Sequence, residues 1–134
     1  MPTVIRKSDS YTITERRREV RGALGWQVTS GVWSPPTDLV ETASEYLVSV
    51  EIAGMRESEF EVVYENGVLV VTGQRPDRTE RGAYHQMEIH FGKFSSAVAL
   101  PGPVDLDNSQ AEYKNGFLIV KLPKAKRVDV KIED

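Results

Sequence analysis

Two Asn-Gly pairs, Asn66-Gly67 and Asn115-Gly116, lie inside stretches that nearly repeat each other: Tyr64-Glu65-Asn66-Gly67-Val68-Leu69-Val70-Val71 and Tyr113-Lys114-Asn115-Gly116-Phe117-Leu118-Ile119-Val120. A two-residue type I′ turn needs φ > 0 at both central positions, which asparagine tolerates and glycine adopts freely. The pairs predict two tight hairpins, at 64–71 and 113–120, in an antiparallel, mostly β domain. Such a domain has sheet edges to use or to hide.

Strand signals continue on either side of the hairpins. After the break at Pro35-Pro36, Leu39–Thr42 is a short strand, and Tyr46–Ile52 alternates with Tyr46, Val48, Val50 and Ile52 on one face. Phe60–Tyr64 sets Phe60, Val62 and Tyr64 against Glu61 and Val63, and Val68–Thr72 completes the first hairpin. Phe94–Leu100 is closed by Pro101-Gly102-Pro103, while Gln110–Lys114 and Phe117–Leu122 form the second hairpin. Tyr84–Phe91 has the composition of a strand but sits between loop signals. Many short strands spaced this way indicate a β-sandwich.

The ends are different. Residues 1–34 read as an N-terminal arm in which Ser10, Thr12 or Thr14 caps a short helix over 15–24, ended by Gly25. Val4, Ile5, Trp26, Val28 and Trp33 are scattered there without sustained period, so they either stay mobile or dock on the domain. Beyond the folded body of 35–123, the tail of 124–134 carries the alternating run Val128-Asp129-Val130-Lys131-Ile132. That strand has no sequence neighbour; it folds back on its own sheet or adds to the edge of another subunit.

Charge is distributed unevenly: residues 1–34 balance at +3, residues 35–122 at −7 and the last twelve at +1. An acidic body repels phosphate backbones, which argues against nucleic acid as a partner. Cysteine is absent, which removes disulfides and thiolate chemistry. No apolar run approaches the ~18 residues of a membrane span, and Arg6, Lys7 and Asp9 interrupt any secretory signal, so the expectation is a soluble cytoplasmic protein.

No catalytic constellation is present in the sequence. His85 and His90 lie five apart in a strand-like segment, which points them to opposite faces and prevents joint chelation. No serine occupies a Gly-x-Ser-x-Gly elbow, and no glycine loop of the phosphate-binding kind occurs. The reading is a binding protein without catalytic residues, metal or cofactor.

Placed in order, these segments resemble the small heat shock proteins of the α-crystallin family, bacterial and plant type. Trp33-Ser34-Pro35-Pro36-Thr37-Asp38-Leu39-Val40-Glu41 is similar to the family's lead-in to its core domain. Tyr46–Gly54, Asn66–Arg75, Gly92-Lys93-Phe94 and Leu100-Pro101 match later segments. Ala111-Glu112-Tyr113-Lys114-Asn115-Gly116-Phe117-Leu118 resembles the signature Ala-x-x-x-Asn-Gly-apolar-Leu. One departure is Ser96, where the family usually has an arginine that forms ion pairs in the dimer region; its replacement implies a compensated interface.

The resemblance implies an immunoglobulin-like antiparallel β-sandwich of about seven to nine strands, acting as an ATP-independent holdase on unfolding client proteins. It implies a homodimer in which Tyr84, Met87 and Ile89 pair with the neighbour's edge near Leu39–Glu41, and dimers joined into larger oligomers. The tail, through Val128, Val130 and Ile132, would plug a groove lined by Phe60, Val62 and Ala111. The arm, through Val4, Ile5, Trp26, Val28 and Trp33, would bind clients. CS-domain adaptors or co-chaperones, monomeric docking modules on a related sandwich without the tail motif, are the alternative.

Overall fold

The structure, a computed structural model, describes residues 3–6, 12–15, 31–77 and 82–126. Among the described residues nine strands run: β1 (Thr3–Arg6), β2 (Thr12–Glu15), β3 (Thr37–Glu41), β4 (Glu45–Glu51), β5 (Phe60–Glu65), β6 (Val68–Arg75), β7 (Gly92–Ala99), β8 (Gln110–Lys114) and β9 (Phe117–Pro123). They make two sheets, of order β1-β2-β5-β6-β7 and β3-β4-β9-β8. Every pairing is antiparallel except β2 on β5. The described residues contain no helix long and apolar enough to cross a membrane.

Both Asn-Gly hairpins form. Asn66 and Gly67 have φ of 50° and 79°, and Asn115 and Gly116 have 53° and 82°, as a type I′ turn requires. The turns lock the registers Val62↔Val71 and Ala111↔Val120. Once a register is fixed, period-2 alternation decides which side chains face inward.

The first sheet therefore sends Phe60, Val62, Leu69, Val71 and Phe94 into the interface between sheets, and the second sends Tyr46, Val48, Val50, Ala111, Leu118, Val120 and Leu122. Phe94 fits because Gly73, its register partner, has no side chain: a Cβ there would lie 2.6 Å from the Phe94 ring and 2.6 Å from the Glu59 carbonyl oxygen.

Ser96 is also buried, facing the second sheet. Thr37 Oγ1 donates to the Pro35 carbonyl at 3.0 Å, which leaves the Ser96 hydroxyl to donate to Thr37 Oγ1 at 2.6 Å. A neutral hydroxyl pair thus ties β7 to β3, and the serine is satisfied within its own subunit.

The arm departs from the sequence expectation. Thr12 and Thr14 do not cap a helix, and Glu15 does not begin one; all three lie in β2. β-Branched Thr12, Ile13 and Thr14 favour extended backbone, and the open side of β5 supplies the ladder they need. The rest of the expected helix, 16–24, lies outside the described residues, as do Trp26 and Val28 of the arm and Val128, Val130 and Ile132 of the tail.

Candidate binding groove and sheet edges

β5 belongs to one sheet and β8 to the other, and their inward faces meet at one side of the sandwich. Alternation brings Phe60, Val62 and Tyr64 from β5 toward Ala111 and Tyr113 from β8. Phe60, Val62 and Ala111 are all buried in one apolar cluster, with Tyr64 and Tyr113 half-buried against it. The Phe60 and Tyr113 rings lie 4.9 Å apart between centroids.

Tyr113 is the residue that sequence reasoning missed here. Its hydroxyl donates to the Ile52 carbonyl at 2.7 Å and accepts the Met55 N–H at 3.4 Å. An amphipathic tyrosine on an alternating strand was the available signal, but its partners come from the far end of β4.

At the Tyr64 end of this groove a cavity of about 510 Å³ opens, lined by Val104, Leu106, Asp105, Asp107 and by Ala125 and Lys126, where the chain leaves β9. The exit is fixed by backbone bonds from Lys124 N–H to the Ser44 carbonyl and from Ala125 N–H to the Pro103 carbonyl. The tail thus starts beside the groove expected to receive a tail.

The edge of β5 is already paired. β2 lies along it in parallel, with Ile13↔Val62, Thr14↔Val63 and Glu15↔Tyr64, and β1 pairs outside β2 with Val4↔Thr14 and Ile5↔Ile13. β2 also approaches β8, and β1 approaches the 3-10 turn at Leu106–Asn108. Val4 and Ile5, expected on a client-binding arm, therefore sit in the outermost strand of the first sheet.

The opposite side carries the other expected residues. Tyr84, Met87 and Ile89 are 51%, 61% and 64% exposed, in a segment without a strand. β3, the edge strand of the second sheet, has no partner on its outer side among the described residues, and Val40 on it is half-exposed.

Trp33 is docked. Its indole N–H donates to the Gly92 carbonyl at 3.3 Å, and backbone bonds join it to Lys93 and Ser95. Its ring stacks on His90 at 5.2 Å, and the Arg75 guanidinium sits over it at 4.6 Å. Arg75 in turn donates through Nε to the His90 carbonyl at 2.8 Å, so the base of the 82–91 segment is pinned. A cavity of about 700 Å³ lies there, bordered by Trp33, Pro36, Ala53, Arg75, Ile89 and Phe91. His85 is exposed, and the described residues contain no cluster of three His, Cys, Asp or Glu side chains placed to hold a metal.

This sandwich with paired Asn-Gly hairpins matches a known sequence profile, that of the Hsp20/alpha crystallin family, over residues 38–133. The chain belongs to this family. Among Hsp20/alpha crystallin relatives, small heat shock protein C4 of Rickettsia felis is 32% identical over 102 residues, covering 75% of this chain and 63% of that protein. The chain thus spans slightly less than two thirds of that relative's length.

Of solved family structures, heat shock protein 16.0 from Schizosaccharomyces pombe is 30% identical with a TM-score of 0.64, covering 75% of this chain and 96% of that one. A small heat-shock protein from Xylella fastidiosa, described as having a distinct high order structure, is 25% identical with a TM-score of 0.65, covering 76% and 96%. No comparison supports the CS-domain alternative.

Proposed function

We propose that this protein is an ATP-independent chaperone, a holdase that binds unfolding proteins and keeps them from aggregating. The observation that carries this reading is the opening lined by Tyr64, Val104 and Leu106 beside the β5–β8 seam, beneath which Phe60, Val62 and Ala111 are buried, in a chain of the Hsp20/alpha crystallin family. Such a surface recognises extended apolar segments, which non-native chains expose and folded ones bury.

The chain divides into an arm (1–34), a sandwich domain (35–123) and a tail (124–134). Val128, Val130 and Ile132 of the tail plug the groove of another dimer. Two buried aliphatic side chains contribute about 3–6 kcal/mol before ordering costs, which keeps the plug reversible. Dimers form by exchange of the segment carrying Tyr84, Met87 and Ile89, which would pair with the neighbour's β3; the exposure of these apolar residues and the open outer side of β3 support this. Stress loosens the assembly, and the groove with arm residues Val4, Ile5, Trp26 and Val28 takes up client. The docked position of Trp33 makes it a support of the domain in this scheme. The protein works in the cytoplasm, without cofactor, nucleic acid or membrane.

Light scattering of a heat-labile client, without nucleotide, tests the function. Aggregation should fall as the protein approaches equimolar ratio, and unchanged scattering at that ratio or above would end the holdase reading. Native mass spectrometry of the Val130→Gly, Ile132→Gly double variant tests the plug: the assembly should shrink to dimers, and an unaltered mass would count against it.

A further inference from the structure

The twin turns share their chemistry but not their place in the fold. Asn66 and Asn115 are both exposed, each at positive φ and followed by glycine. The first turn joins two interior strands: β5 lies between β2 and β6, and β6 between β5 and β7. The second closes a hairpin at a sheet margin, since β8 is the outer strand of its sheet and pairs with β9 alone among the described residues.

β8 is also lightly held. Of its residues Gln110, Glu112 and Lys114 are exposed, Ala111 is buried but small, and Tyr113 is half-buried and tied through its hydroxyl to Ile52 and Met55. The first hairpin buries Val62, Val63, Leu69, Val70 and Val71 almost completely. Strands at a margin with few buried contacts open locally at lower free energy than interior ladders. While the ladders are closed, both turns are fixed: Leu100 N–H donates to the Gly67 carbonyl at 2.8 Å and Ile52 N–H to the Gly116 carbonyl at 2.9 Å.

An asparagine before a glycine carries its own electrophile and nucleophile. The Gly116 amide nitrogen gives up its proton and attacks Asn115 Cγ. A succinimide ring closes through the new C–N bond, the Cγ–Nδ2 bond breaks, and ammonia leaves. Glycine has no Cβ to obstruct the approach. Water then opens the ring, at Cγ to give aspartate, or at the α-carbonyl to give isoaspartate, whose main chain runs through Cβ and Cγ. No oxidant or cofactor enters. Closure needs Asn115 to swing out of the turn's left-handed conformation, so the ladder must open first.

We propose that Asn115 is a site of spontaneous covalent modification, converting to isoaspartate ahead of Asn66 by way of local opening of the β8–β9 hairpin. The extra backbone methylene does not fit a two-residue turn, and the register Ala111↔Val120 and Tyr113↔Leu118 depends on that turn. The product also adds a carboxylate to a body, residues 35–122, that already balances at −7. β8 borders the seam with β5, so conversion marks aged copies beside the opening at Tyr64. The isoaspartyl carboxylate is a substrate for carboxyl methylation, because its methyl ester expels methanol and re-forms the succinimide. The inference stands whether or not the holdase reading does.

The test ages the full chain in mildly alkaline buffer. Peptide mapping by mass spectrometry, with enzymatic methyl transfer to isoaspartate, follows each site. Asn115 and Asn66 fall in separate tryptic peptides, after Lys114 and Arg56. Each rate is divided by that of the same site in concentrated urea, which removes the effect of neighbouring residues. The normalised rate at Asn115 should exceed that at Asn66 at least about threefold. Tyr113→Phe releases the hydroxyl tie of β8 and should speed Asn115 about fivefold to tenfold, with Asn66 unchanged. Hydrogen exchange over residues 110–120 should be faster in the converted protein.

Equal normalised rates, or a faster Asn66, overturn the proposal, as does a chain that forms no isoaspartate at Asn115. Equal acceleration of both sites by Tyr113→Phe, or none at Asn115, overturns the route through hairpin opening. Unchanged exchange after conversion overturns the loosening of β8.

Discussion

Gly73→Ala adds one methyl group at the tightest point of the core. The new Cβ would lie 2.6 Å from Phe94 Cζ, 2.9 Å from Phe94 Cε2 and 2.6 Å from the Glu59 carbonyl oxygen, where ordinary contact begins near 3.4 Å. A shortfall of about 0.8 Å cannot be relieved by a side-chain rotation alone, because the Glu59 oxygen belongs to the backbone entering β5. Overpacking of this kind costs about 2 kcal/mol, which lowers the Tm of a domain this size by roughly 8–16 °C.

The strain also has a direction. Phe94 packs edge-on against Phe60 at 6.2 Å, so a displaced ring pushes on a residue of the groove. Phe94→Leu alone should cost about 1–2 kcal/mol in lost contacts. In the double variant the leucine leaves room for the methyl, and the two costs should fall short of additivity by about 1 kcal/mol. Urea unfolding at one fixed protein concentration measures all three. A Gly73→Ala cost below about 0.5 kcal/mol, or strict additivity with Phe94→Leu, would refute the packing described.

Tyr113→Phe keeps the ring against Phe60 but leaves the Ile52 carbonyl without its donor, and should lower the urea-unfolding stability by about 1–2 kcal/mol. Asn115→Ala places a Cβ without a compensating amide at φ 53° and should cost about 1 kcal/mol by thermal melting, while Asn115→Gly should stay within about 0.5 kcal/mol. Lys124→Ala breaks a 2.7 Å pair with Glu41 at an exposed position; the change should be below about 1 kcal/mol and should shrink further in high salt.

How far the sequence carries depends on whether a feature is local. The hairpins at Asn66-Gly67 and Asn115-Gly116 are local: backbone chemistry dictates the turn, the turn fixes the register, and alternation then places Val62 and Ala111. The strands of the sandwich body follow within a residue or two of their sequence limits, except that β6 runs three residues past Thr72 to Arg75. β1 and β2 are not local. Four-residue strands such as Thr12–Glu15 have no adjoining turn signal, and they become strands only because β5, far along the chain, has an unpaired side. The threonines were equally good helix caps by type, and the competition was decided by tertiary pairing.

Trp33 illustrates the same limit, since its docking depends on Gly92, Lys93 and Arg75, which the sequence sets far away. Ser96 reads as a missing charge in the sequence. In the fold it is half of a hydroxyl pair whose other half, Thr37, could be found only once β3 and β7 faced each other.

Pinning both roots of the 76–91 segment sets a length scale. Arg75 and Gly92 are ladder partners, so the sixteen residues between them must go out and return to nearly the same place. Fully extended, half of them span about 27 Å. If the segment is exchanged between subunits as proposed, the acceptor edge must lie within that radius of the Arg75–Gly92 rung. The anchoring stack of Trp33, His90 and Arg75 works as the fixed foot of a compass, and any arrangement of two subunits that places the accepting strand outside its arc is excluded by chain length alone.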